Sequence, residues 1–136
     1  MEATKPRISE DWLAVVIGVF IVLLAMATVA GGDLLGWAAK SNVWIDIQKS
    51  ISTASSDYAG LGGVPALLLT YLFLLVVMSF GASALGASVR KFAAGFTLVF
   101  FIAYVCMLAG SWAYIAATPD KREAYNIGWS LSLTAE

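Results

Sequence analysis

An all-α integral membrane fold is expected, with three transmembrane helices and an interfacial amphipathic helix between the first and second. Three features predict it: long charge-free apolar stretches, a composition 60% hydrophobic and only 12% charged, and two tryptophans at helical spacing just outside the first stretch. A water-soluble domain would have to cover three helices that are apolar all round. The chain offers no matching set of amphipathic helices to do so.

The amino-terminal residues 1–11 read as a cytoplasmic tail, with Lys5 and Arg7 as its basic start. Residues 12–30, Trp12 to Ala30, form the first span. As a helix it would extend about 28 Å at the usual rise, which suits a hydrocarbon core of about 30 Å. The alternative is a cleaved signal peptide, since Thr28, Val29 and Ala30 before Gly31 resemble a small-residue cleavage site. Against it, the apolar stretch exceeds the usual ~7–15 residues of a signal core, and Glu10 and Asp11 abut it directly. A retained anchor is the preferred reading. Ser9 is then the N-cap, Glu10 and Asp11 face the positive end of the helix dipole, and Gly31 and Gly32 close the helix.

Residues 31–63 connect the first two spans and are too long for a simple turn. Leu34, Trp37, Ala38, Ser41, Trp44, Ile45 and Ile51 fall near one face at helical spacing, interrupted by Asp33, Lys40, Asp46 and Lys49 elsewhere. That pattern predicts an interfacial helix anchored in the headgroup region by Trp37 and Trp44. A folded loop tucked against the helices is the alternative, favoured by Gly36 and an imperfect period.

The second span covers residues 64–85, within a charge-free stretch that continues to Val89. Its end is rich in small residues, which let helix backbones approach closely in lipid. Ser79, Ser83 and Ala87 repeat every four residues, as do Ala82 and Gly86. In the third span, residues 92–118, Ala109, Ala113 and Ala117 repeat likewise. The spacing predicts a helix-packing seam between two antiparallel helices; the plain alternative is small residues filling a tapering helix end. A short basic connector, residues 86–91, holds Arg90 and Lys91 outside the lipid.

Pro119 stops the third span, and residues 119–136 return to water at Asp120 to Glu123 before turning apolar again at Ile127. Trp112 and Tyr114 lie close to this exit, as interfacial anchors or as core packing. The final segment reads either as a frayed terminus or as the approach to a further element. Basic residues tie in number on the two sides of a three-span arrangement, but Lys49 is far from any span, which tips the amino terminus towards the inside.

The chemistry is mostly exclusion. With no histidine and Cys106 alone inside the third span, read as a small packing residue, no metal, haem or iron-sulfur ligand set is present, and no cofactor is expected. No nucleophile has a visible base, so no enzyme is expected and no catalytic residue is assigned. No basic cluster offers nucleic acid a footprint. No Asp, Glu, Lys or Arg lies inside the apolar stretches to carry a proton or ion path. Thr70, Tyr71, Ser79, Thr97, Tyr104 and Ser111 could bond between helices, although bonding to their own helix is the simpler use.

SEDWLAVVIG, NVWIDI, LLLTYLFLLVV and above all AYIAATPDKREAYNIGWSLSLTAE make the chain resemble the amino-terminal region of the YeiH-like sulfate exporter family. The resemblance implies an integral protein of the bacterial inner membrane, with a transport core of inverted-repeat helices lying beyond these residues and substrate bound there near the midplane. It places no substrate-binding residue in this chain. The expected role is scaffold or dimerisation surface for that core, with the bilayer, the core and a second copy as partners. A three-span accessory subunit of another membrane complex is the alternative.

Overall fold

The computed structural model describes residues 9–132. Most of the expected cytoplasmic tail, with Lys5 and Arg7, lies outside the described residues, as do 133–136. The first helix, α1 (Glu10–Met26), starts where Ser9 takes an extended conformation and its hydroxyl accepts the Trp12 N–H at 3.3 Å. Glu10 and Asp11 occupy the first turn, where the dipole favours negative charge. After 17 residues the helix tightens into a 3-10 turn, Ala27–Ala30, and Gly31 ends it at φ 87°. The Gly32 N–H then reaches back to the Ala27 carbonyl at 3.0 Å. Only glycine enters this left-handed conformation without steric cost.

Two further helices, α2 (Gly63–Ala84) and α3 (Val89–Gly110), form a hairpin. Gly86, at φ 75°, makes the turn between them: its N–H bonds the Ser83 carbonyl at 3.0 Å, and the Ala87 N–H bonds that of Ala82 at 2.9 Å. This is a Schellman closure. Tyr71 of α2 packs against Phe96, Phe100 and Phe101 of α3 with centroids 5.3–6.4 Å apart, and its hydroxyl lies 2.7 Å from Thr97 Oγ1. Thr97 already donates to the Ala93 carbonyl, so Tyr71 is the donor in that pair.

Both hairpin helices are long and apolar enough to cross a membrane, with mean hydropathies of 2.2 and 2.3 over their most apolar 18 residues. Of those residues, 6% are buried in α2 and none in α3, so the chain does not cover these surfaces as a soluble core would. A third span is not shown, because α1 gives up its α-helical form after 17 residues.

The expected interfacial helix between the first two spans is absent. In its place β1 (Ala39–Ser41) and β2 (Ile51–Thr53) pair antiparallel, Ala39 opposite Thr53 and Ser41 opposite Ile51, with 3-10 turns at Ile47–Lys49 and Ser56–Leu61. The physical reason is local competition for backbone hydrogen bonds. The Asn42 amide donates to Ser52 Oγ at 2.9 Å, Asp46 caps the first 3-10 turn through the Gln48 N–H, and Ser55 caps the second through the Asp57 N–H. Each such bond stabilises a turn that a continuous helix would have to give up.

The third helix also stops earlier than its apolar stretch, at Gly110 and not near Thr118. Here the main chain changes partner. The Ala113 N–H, which a continuing helix would aim at the Ala109 carbonyl, bonds the Trp44 carbonyl at 2.8 Å. The Trp44 N–H in turn bonds the Ser111 carbonyl at 3.1 Å. One turn of helix, α4 (Ala113–Ala116), follows, and Ala113, Ala117 and Ile127 close a small core against Val43, Tyr114 and Tyr125. Ile127 is therefore buried in a fold-back and does not open a further element within the described residues.

The hairpin strand lies directly on the start of α2. A Cβ added at Gly63 would sit 2.8 Å from Ile51 Cβ and against the Ile51 carbonyl oxygen. Gly63→Ala is expected to lower unfolding stability in mild detergent by about 1–3 kcal/mol through overpacking. Gly60→Ala, with open space around it, should change stability by no more than about 0.5 kcal/mol. Equal thermal midpoints for the two variants would contradict this placement of the strand.

Candidate functional site

The structure places the predicted packing residues at two ends of the hairpin. Ser79, Ala82 and Ser83 sit in the last turns of α2, beside the start of α3, while Ala109 lies at the far end of α3. An antiparallel hairpin cannot bring those two groups together. Ala113 and Ala117 are fully or almost fully buried, but beyond α3, in the small core with Ile127. Gly86 and Ala87 form the closing turn, and a Cβ on Gly86 would meet open space. Ser79 and Ser83 border a shallow apolar groove with Phe80, Val89 and Ala93.

What the end of α2 does receive is α1. Gly81, absent from the sequence-predicted seam, is buried, and a Cβ there would lie 3.1 Å from Ile17 Cδ1 and 3.3 Å from Leu13 Cδ2. Ala82 beside it is 6% exposed. Leu13, Ile17, Ile21 and Leu24 are the less exposed positions of α1, at spacings of four, four and three residues. They form its inward stripe. Because the start of α1 meets the end of α2, α1 runs antiparallel to α2, and its first turn shares an end with Arg90 and Lys91. One signal for Gly81 was available: glycine inside a helix costs about 1 kcal/mol relative to alanine, so one that persists there has a packing reason.

At the opposite end, the connection between α1 and α2 is bonded to both hairpin helices. Thr70 Oγ1 donates to the Ala66 carbonyl of its own helix and accepts the Ala39 N–H, both at 2.8 Å. Ser111 does the same at the end of α3: its hydroxyl donates to the Met107 carbonyl at 2.8 Å and accepts that of Ser41 at 3.0 Å. The intrahelical and interelement uses of these hydroxyls thus coexist. Ser50, fully buried within the connection, donates to the Ile47 carbonyl.

The predicted aromatic anchors divide. Trp37 donates its indole N–H to the Leu34 carbonyl at 2.7 Å and sets its ring edge-on to Phe73 at 5.6 Å. Trp44 donates its indole N–H to the Leu108 carbonyl at 2.9 Å. Both join the loop to the hairpin. Trp112 is 42% exposed and tilts against Tyr114 at 5.1 Å; Tyr114 tilts in turn against Trp129 at 5.2 Å. Cys106, read from sequence as a packing residue, is exposed on the outer face of α3.

Among the described residues no group of three metal-ligating side chains converges. The grooves between the helices are apolar; that between α1 and α2 is bordered by Leu13, Val16, Phe20, Phe73 and Phe80. Such a surface can pack against helices or acyl chains.

The chain is 28% identical over 127 residues to the UPF0324 membrane protein NE0724 of Nitrosomonas europaea. The match takes in 92% of this chain, which spans about a quarter (26%) of that relative's length. No protein-family model and no solved structure matches.

Two substitutions test the geometry. Gly81→Leu is expected to push α1 off α2 and to lower unfolding stability in detergent by about 1–3 kcal/mol. Trp44→Phe keeps the ring but removes the bond to Leu108, for a loss of about 1 kcal/mol. An unchanged midpoint in either variant would show that the contact in question contributes nothing.

Proposed function

We propose that this chain is a membrane-embedded scaffold of an anion exporter, with sulfate or a related small sulfur oxyanion as cargo. Three helices cross the bilayer in this reading, α1 completing its span through the 3-10 turn at Ala27–Ala30. The amino terminus faces the cytoplasm, the membrane is the bacterial inner membrane, and the chain is not an enzyme. The observation that carries the scaffold role is the uncovered apolar surface of α2 and α3, which contains no Asp, Glu, Lys, Arg or His between Val64 and Val89 or between Phe92 and Gly110. Surfaces of that kind bind other helices and lipid, whereas an ion path requires polar groups that replace hydration.

Two likenesses support the wider reading: the similarity to a UPF0324 membrane protein about four times as long as the matched region, and the resemblance to YeiH-like exporters. The cargo rests on the resemblance alone. In this account the transport core is made by sequence outside these residues, and α1 with the outer face of α3 supplies the surface on which it, or a second copy, docks. A three-span subunit of a different membrane complex would use the same faces.

Flux of labelled sulfate separates these readings. Vesicles holding the protein from the whole reading frame are expected to accumulate sulfate well above empty vesicles, and vesicles holding residues 1–136 alone are expected not to. Failure of the whole protein with several sulfur oxyanions would remove the anion assignment. Flux through residues 1–136 alone would remove the scaffold assignment.

A further inference from the structure

The tryptophans of the loop end sort by whether the protein satisfies their indole nitrogen. Trp37 and Trp44 each donate to a backbone carbonyl inside the fold. The indole N–H groups of Trp112 and Trp129 have no acceptor among the described residues, and the two residues are 42% and 58% exposed. They stand on either side of Tyr114, with ring centroids 5.1 and 5.2 Å from it, and Leu131, 58% exposed, continues the same edge.

This ledge is held in place from behind. The Leu131 N–H bonds the Tyr114 carbonyl at 2.8 Å. Ser130 Oγ donates to the Ala117 carbonyl at 2.7 Å, and Arg122 Nε donates to Ser130 Oγ at 2.8 Å. Ile127, buried against Ala113 and Ala117, pins the fold-back that carries Trp129. Three aromatic rings from residues 112–129 are thereby set side by side on a rigid base.

Position identifies what the ledge meets. Trp112 follows the last residue of α3 by two positions, so the ledge begins where the uncovered apolar surface of that helix ends. A ring that is apolar on its body and carries an unpaired N–H donor fits the boundary between acyl chains and headgroups. Water alone would leave the apolar bodies of two indoles and a leucine exposed together, next to a helix surface that is itself apolar.

We infer that Trp112, Tyr114 and Trp129 form a lipid-binding ledge that seats the loop end of this chain at the acyl–headgroup boundary of the bilayer. The ledge fixes the depth of α3 and lays the segment from Tyr125 to Leu131 along the membrane surface. This inference rests on the membrane reading proposed above.

The test uses residues 1–136 and the W112F/W129F variant in phosphatidylcholine vesicles whose acyl chains carry bromine either near the headgroup or near the midplane. Sedimentation with the vesicles after alkaline carbonate extraction reads membrane insertion separately. Shallow bromine is expected to quench wild-type tryptophan emission more than deep bromine. Because Trp12, 67% exposed at the other end, is the remaining exposed indole, the shallow-quenched emission of the variant should fall to about a third of wild type. An unchanged shallow-quenched emission in a variant that still sediments would overturn the ledge while leaving the spans intact. Stronger loss from the deep-bromine signal would overturn it too, by placing these rings in the hydrocarbon. A protein extracted by carbonate would overturn both the ledge and the membrane reading.

Discussion

The pairing of Trp44 with the end of α3 is the interaction on which the rest of the chain depends. A helix leaves its last carbonyls without partners, and where lipid replaces water those groups must be satisfied by protein. Trp44 answers three needs at one place. Its indole N–H takes the Leu108 carbonyl, its backbone N–H takes the Ser111 carbonyl, and its own carbonyl takes the Ala113 N–H. Helix α3 ends there, α4 starts there, and the long connection from α1 is anchored there.

Much of the remaining architecture follows. With Trp44 pinned to α3 and Ala39 bonded to Thr70 of α2, the strands β1 and β2 lie across one end of the helical hairpin, and Gly63 must be a glycine to let Ile51 approach. The other end is closed by a different device, the left-handed turn at Gly86 and the seat that Gly81 offers to Leu13 and Ile17. One end is thus held by hydrogen bonds and the other by close packing. Hydrogen bonding suits the end where backbone is irregular, and small-residue packing suits the end where two helices meet side on.

The two long apolar helices of the hairpin were legible because uninterrupted apolarity over such a length has few other uses. What apolarity could not convey was where a helix stops for tertiary reasons. The stretch from Ser111 to Ala117 is as free of charge as the span before it, yet the backbone turns to meet Trp44. The loop was misread for a related reason. Trp37, Trp44 and their neighbours do recur at helical spacing, but Asn42, Ser50, Ser52 and Ser55 offered the backbone better partners than a helix would. Among the small residues, the four-residue spacing was visible and its meaning was not. Gly86 had a turn to make, and the residue that receives α1 is Gly81. A one-dimensional repeat does not say which element will face it.

An uncovered apolar hairpin with an aromatic, hydrogen-bonded cap is consistent with the scaffold role proposed, since it offers long faces to lipid and to other helices while one end is held rigid. The central claim is the rigidity of that cap. Hydrogen exchange of the Trp44 and Ala113 amides, measured on the protein in lipid nanodiscs, tests it most directly. If Trp44 locks the cap, both amides exchange as slowly as those in the middle of α3. Exchange at the rate of an exposed loop, with the α3 amides still protected, would contradict the account.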